Sequence, residues 1–363
     1  MMNSKLLLAF VLTFSPLAWA QKVVFINPGK SDEAYWVAAS SAMQMAANSL
    51  NMQLEVRYTE RQHLQSIDIA RELAARAPDQ QPEYVIFSND YGVSLALLDI
   101  FKNTGIRTFM AFSSPTDVER KKTGAPRQIY PNWLGSLEPR AQDAGYLTAT
   151  ALIRKARAMK ATGPDQKLHM LAIAGDRSTR SSILRNEGMQ RAVAESPDVV
   201  LDQLVYADWS QAKAAEQSDW LLGRYPHAKL IWGGNDLIAF GAMESVEKKG
   251  GIPGQTVFFS GINTSTAALE AVQNGRLTAL AGGHFITGAW AMVMLYDHAH
   301  GRDFASEGYD LTVPMFTLLT PPKIKTFLNR FGEPPKPIDF RQYSKAYNPK
   351  IKRYGFGFDQ LLK

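Results

Sequence analysis

The chain has 363 residues, room for two domains of ordinary size, and no cysteine, which excludes both a disulfide-stapled scaffold and a lipid-modified cysteine. Its formal net charge of +6 is spread along the chain. The densest basic cluster, Arg120-Lys121-Lys122, reads as a solvated loop and not as a nucleic-acid site. At the N-terminus, Lys5 precedes the apolar run Leu6–Leu17, and Ala18-Trp19-Ala20 is a small-x-small cleavage signal, so residues 1–20 read as a signal peptide cut before Gln21. That run is shorter than the ~20 residues of a membrane span, and no later stretch qualifies, so a soluble periplasmic protein is expected.

From Lys22 onward one unit recurs: a short apolar strand, a polar tip, a helix. Val23–Ile26 ends at Asn27-Pro28-Gly29, and Trp36, Ala39, Met43, Ala46 and Leu50 mark one face of the helix that follows. Met52–Tyr58 alternates as a second strand, Ile67–Ala77 is helical, and Tyr84–Phe87 is a third strand with Ser88-Asn89-Asp90 at its tip. Arg107–Phe112 is the fourth strand. A short strand around Ile129 and a helix from Glu138, with Pro139 in its first turn, are expected next. A second series begins after Gly163-Pro164: strand Leu168–Ala174 and helix Ser182–Ala194, strand Val199–Tyr206 with tip Ala207-Asp208-Trp209, and strand Leu230–Trp232 with Gly233-Gly234-Asn235-Asp236 opening a helix. Val257–Ser260, Leu277–Ala281 and the helix Thr287–His300 complete it.

This alternation predicts α/β architecture with two doubly wound parallel-sheet lobes, helices on both faces of each sheet. Ligands of such sheets lie beyond the carboxyl ends of the strands, where the tips fall. The tail differs. Pro314, Pro321, Pro322, Pro334, Pro335 and Pro337 predict strands and extended segments without long helices, held down by Tyr347, Tyr354, Phe356 and Phe358.

Leader, paired lobes and the order of the tips together resemble the type I periplasmic binding proteins, the class of ribose-binding protein and the autoinducer-2 receptor. The resemblance covers nearly all of the mature chain. It is carried by Glu33-Ala34-Tyr35-Trp36 opening the first helix, Arg185 three residues before Gly188, Asp208-Trp209, the pair Asn235-Asp236, and Gly261-Ile262-Asn263. It implies two lobes joined by a hinge and crossed three times, near Pro131–Ser136, Gly282–His284 and Val313. The lobes are then 21–135 with 283–312, and 136–282 with 313–363. Departures are also visible: Phe112-Ser113-Ser114 and Asn263 stand where sugar-binding members often carry Asp, and the Asp-Asn often seen after the first crossover is replaced near Arg140-Ala141, so the usual pyranose or ribose pocket is not expected.

The residue types make the same case independently. A sugar-like ligand has an apolar CH face for Tyr35, Trp36 and Trp209 to cover, and a hydroxyl rim for Asn89, Asp90, Arg185, Asn235, Asp236 and Asn263 to engage. Glu33 and His284 complete the ligand-binding set. Structural roles compete with several of these: Trp36 and Trp209 as core, Asn89 and Asp90 as a helix cap before Val93, Asp236 as an N-cap, Arg185 as a surface partner of Glu187 or Asp176, and His284 beside a structural partner.

No catalytic or metal-binding residues and no cofactor are expected. Gly-x-Ser-x-Gly is absent, the six histidines lack zinc-type spacing, and neither Gly-x-Gly-x-x-Gly nor a phosphate loop follows a strand, which leaves a periplasmic hydrolase as a minor alternative. The partners expected of a monomeric binding protein are a small carbohydrate-like ligand and the permease of an ABC transporter. A membrane sensor kinase or cyclase is the alternative partner; the same ligand-driven hinge serves either.

Overall fold

The computed structural model describes residues 20–332 and 334–362, so the expected leader lies outside the described residues except for Ala20. The first lobe runs β1 (Lys22–Asn27), α1 (Ala34–Leu50), β2 (Gln53–Tyr58), α2 (His63–Ala75), β3 (Tyr84–Phe87), α3 (Ser94–Phe101), β4 (Arg107–Ala111), α4 (Asp117–Thr123) and β5 (Trp133–Pro139). The second runs α5 (Ala141–Ala158), β6 (Leu168–Ala174), α6 (Arg180–Ala194), β7 (Val199–Tyr206), α7 (Gln211–Arg224), β8 (Leu230–Gly233), α8 (Asp236–Lys248), β9 (Phe258–Ile262), α9 (Thr266–Gln273) and β10 (Ala279–Gly282). The chain then returns to the first lobe for α10 (Thr287–Ala299) and β11 (Asp310–Val313), and to the second for β12 (Thr317–Leu318) and α11 (Pro321–Phe331).

Each sheet has six strands, in the orders β11-β5-β4-β3-β1-β2 and β12-β10-β9-β8-β6-β7. All neighbours are parallel except the two-residue β12, which lies antiparallel to β10. This is the α/β fold of two doubly wound lobes. In both lobes the strand order reverses beside the first strand, at β1/β3 and at β6/β8, and such a switch point opens a crevice at the carboxyl ends of the strands.

The first crossover departs from the sequence reading. No strand forms around Ile129, which is exposed, and Glu138 and Pro139 end β5 instead of starting a helix. Residues 133–139 sit between β4 and β11 in the first sheet, with the Trp133 indole wholly buried, so sheet pairing overrides the helical reading of Pro139. The chain leaves the first lobe at Arg140, whose N–H donates to Val313 O at 2.8 Å.

On the second lobe, α5 and α6 cross with their backbones in contact. A Cβ at Gly145 would fall 1.9 Å from Arg185 O, and one at Gly188 would fall 2.0 Å from Gln142 O. This close crossing sets how far Arg185 reaches toward the first lobe.

The tail also differs from expectation. It contains an 11-residue helix, α11, because Pro321 and Pro322 occupy its first two positions, where a missing N–H costs nothing. Residues 340–356 pack on α1 and α10 of the first lobe, not on the second. The reason lies in α10: every residue from Thr287 to Asp297 is buried, so the helix is covered on all sides. Trp290 stacks on Phe356 with ring centroids 5.0 Å apart and meets Tyr343 edge-on at 4.8 Å. Asp297, fully buried, accepts hydrogen bonds from Ser344 Oγ (2.5 Å), Lys345 N (2.7 Å), Ala346 N (2.9 Å) and Tyr354 Oη (2.8 Å). Phe358 then returns to α11, stacking on Phe331 at 5.6 Å. No helix among the described residues is long and apolar enough to cross a membrane.

Candidate functional site

The carboxyl ends of the two sheets face one another. The lobes touch where Tyr91 N donates to Thr179 Oγ1 (3.5 Å) and where Arg180 lies 3.4 Å from both Asp117 and Glu138. Behind these contacts is a cavity of about 440 Å³, part of it open to solvent, walled from the first lobe by Glu33, Tyr35, Trp36, Arg61, Asp90 and Phe112, and from the second by Ser181, Arg185, Trp209, Asn235 and Asn263.

The first-lobe wall is built on charge pairing. Glu33 stands at the N-cap of α1, where its carboxylate accepts both Nε (2.9 Å) and Nη2 of Arg61. Arg61 Nη1 lies 3.7 Å from Asp90 Oδ2, and Ser88 Oγ donates to Asp90 Oδ1 at 2.6 Å. Burial pushes the Asp90 carboxyl up to about 6, against the opposing pull of the Arg61 guanidinium. Tyr35 stacks on His284 at 4.6 Å, and burial holds its phenol well above the usual range.

The second-lobe wall centres on Arg185. Its Nη1 donates to Gly234 O at 2.8 Å and its Nη2 to His284 Nε2 at 3.0 Å, while its guanidinium lies 5.5 Å from the Trp209 ring. Burial lowers Arg185 to about 10, and burial together with Arg185 holds His284 well below its usual value, so the imidazole is neutral and accepts. Trp209 lies flat on the end of β6: a Cβ at Gly175 would fall 2.2 Å from its ring, so only glycine admits the indole there. Its Nε1 donates to Asp176 Oδ2 at 2.7 Å. Although burial raises the Asp176 carboxyl, hydrogen bonds from Thr179, Ser178 and Trp209 hold it below the usual carboxylate value.

The structure brings together most of the residues singled out in the sequence, with three different placements. Asn89 does not reach the wall. Its Oδ1 accepts Ser94 N (2.9 Å) and its Nδ2 donates to Glu119 Oε2 (3.0 Å) and Ser114 O (3.3 Å), which uses up the amide in joining β3 to its neighbours. His284 stands behind Tyr35 and Arg185 as their support. Asp236 is the first residue of α8 and not its cap; Asn235 Oδ1 caps the helix by accepting Ile238 N at 2.8 Å. Asp236 instead accepts Asn263 Nδ2 (2.9 Å) and Ser265 Oγ (2.5 Å), and burial raises its carboxyl. Trp36 is both wall and core, 4 % exposed.

Arg61, Ser88 and Ser181 are wall residues that sequence reasoning missed. The signal for Arg61 was available: Thr59-Glu60-Arg61 is the polar tip of the second strand, equivalent to Ala207-Asp208-Trp209 in the other lobe. Several polar atoms on this wall are buried with no partner among the described residues, namely Trp36 Nε1, Ser113 Oγ and Arg185 Nε. No cluster of three or more His, Cys, Asp or Glu side chains suited to a metal occurs among the described residues.

Residues 23–303 match the family described as the periplasmic binding protein domain. A periplasmic sugar-binding protein from Pseudomonas fluorescens has a crystal structure that is 36% identical, covers 94% of this chain and 99% of its own, and superposes with a TM-score of 0.83. The chain therefore belongs to the periplasmic binding protein family, whose members bind ligands. A twin-arginine translocation pathway signal protein from Burkholderia phytofirmans (21% identity, 87% of this chain, 94% of that one, TM-score 0.73) shares the fold. So does an ABC transporter periplasmic solute binding protein from Actinobacillus succinogenes with bound D-allose (18% identity, 84% and 99% coverage, TM-score 0.70). Comparison with curated proteins finds no match.

Proposed function

We propose that the protein is exported, loses its leader after Ala20, binds one small carbohydrate-like ligand between its lobes, and delivers it to the permease of an ABC transporter. The observation that carries this reading is the inter-lobe cavity itself, where the aromatic residues Tyr35, Trp36 and Trp209 stand with the polar residues Glu33, Arg61, Asp90, Arg185, Asn235 and Asn263. Aromatic rings cover the CH face of a sugar while forked donors and acceptors engage its hydroxyls. The likeness to the Pseudomonas fluorescens sugar-binding protein supports the same ligand class. Because the wall is drawn from both lobes, a bound ligand favours the form in which the lobes meet at Tyr91–Thr179 and Arg180–Glu138, and that form is the signal a permease can read.

The test is a thermal-shift screen of the mature protein, unfolded and refolded to strip carried-over ligand, against sugars, polyols, furanosyl compounds, nucleosides and amino acids. A ligand in hundredfold excess over its dissociation constant adds about 2.7 kcal/mol of apparent stability. Arg185→Ala removes that response while the apo protein still unfolds cooperatively. Full affinity in this variant, or a response confined to amino acids, overturns the reading.

A further inference from the structure

The cavity adjoins a wider space of about 1260 Å³, partly open to solvent, that shares Glu33, Tyr35, Arg61, Trp209 and Asn263 with the inner chamber as lining. The outer space has walls from both lobes: Lys30, Asp32 and Ala34 on one side, Ser210, Gln211 and Leu237 on the other.

The partition between the two spaces is unusual in its backbone. Glu60 and Arg61 are consecutive left-handed residues (φ 50° and 63°), and so are Asp208 and Trp209 (φ 48° and 61°). Neither pair contains the glycine that makes this conformation cheap, and strain of this kind persists where surrounding structure holds it for a purpose. The two pairs occupy equivalent places, each following the second strand of its lobe. In each, the second residue turns inward, so that the Arg61 guanidinium and the Trp209 indole border both chambers. Arg61 is held there by Glu33 and Trp209 by Asp176. Beyond them Lys30 and Asp32 make no side-chain ion pair among the described residues, so their donors and acceptor remain available to a ligand.

We propose that the outer space is a second subsite and that the ligand is a glycoside, with one sugar ring in the inner chamber and a hydroxylated second unit passing between Arg61 and Trp209. This rests on the carbohydrate reading above. The inner chamber supplies the closely fitted polar wall that orients one ring, while the outer one supplies room, an aromatic edge and charges of both signs, which favour a hydroxylated unit over an apolar one.

The experiment is calorimetric titration of the refolded mature protein with galactose, glucose, arabinose and fructose, each compared with disaccharides and glyceryl glycosides carrying the same ring. At least one glycoside binds tenfold or more tightly than its free sugar. Ala212→Trp, at an exposed position of α7 that borders only the outer space, erases that gain and leaves the free sugar within twofold. A free sugar that binds while each of its glycosides binds equally or more weakly overturns the second subsite and leaves the carbohydrate reading standing; so does a gain that survives Ala212→Trp. Absence of binding by every probe overturns both.

Discussion

Asp90 offers a direct test of how the cleft is built. It is 7 % exposed, with Ser88 Oγ at 2.6 Å and Arg61 Nη1 at 3.7 Å. A carboxyl raised by burial to about 6 from an ordinary 3.8 favours its protonated form by roughly 3 kcal/mol. Between pH 4 and 6 the folded chain therefore holds a proton that the unfolded chain has lost, and stability falls as pH rises through that window. The penalty is absent below the lower value and complete above the upper one. Asp90→Asn mimics the protonated form at every pH. It leaves no new unpaired charge, because Arg61 keeps its two bonds to Glu33. Urea unfolding of the ligand-free protein should show the variant about 1–3 kcal/mol more stable than wild type at pH 8, with the gap closing toward pH 4. Ligand affinity should fall in the same variant, stability and function being traded at one residue. A gap of the same size at both pH values, or a variant less stable at pH 8, would refute the reasoning.

Two further substitutions test the scaffold. Gly145→Ala forces a Cβ to within 1.9 Å of Arg185 O unless α5 and α6 separate; the expected loss is about 2–3 kcal/mol of stability by calorimetry, with at least a tenfold loss of ligand affinity as Arg185 is displaced, and unchanged affinity would show that the crossing does not position the arginine. Asp297→Ala strips four hydrogen bonds from the tail and should cost about 3–5 kcal/mol; limited proteolysis should then cut first within 340–356, and cutting elsewhere first would mean that another contact holds the tail.

The lobes were legible in the sequence because parallel sheets bury both faces of every strand. Such strands read as short apolar runs, as in Tyr84–Phe87 and Leu230–Trp232, and the helix-length connections between them leave little freedom of topology. The tips were legible for the same reason: Asp90, Trp209 and Asn235 are polar or aromatic at places where a covered sheet has no structural need of them. Which atoms of a tip face the cleft was not legible. Asn89 and Asp90 are adjacent polar residues of similar size and shape, yet the Asn89 amide is spent on Ser94, Ser114 and Glu119 while Asp90 borders the cavity. Only backbone direction separates the two.

The end of β5 and the tail show the limit most plainly. Glu138-Pro139 carries a valid local signal for a helix start, but β11, more than 170 residues later in the chain, pairs with this segment and makes it a strand. The run Thr287–Asp297 is apolar on every side, which by itself requires cover on every side. The sequence determined that need, because burial follows from side-chain composition alone. That the cover consists of Phe340, Tyr343 and Phe356, drawn back across α10 and anchored on Asp297, only the tertiary structure decided, since one apolar surface does not specify which of several aromatic segments will reach it.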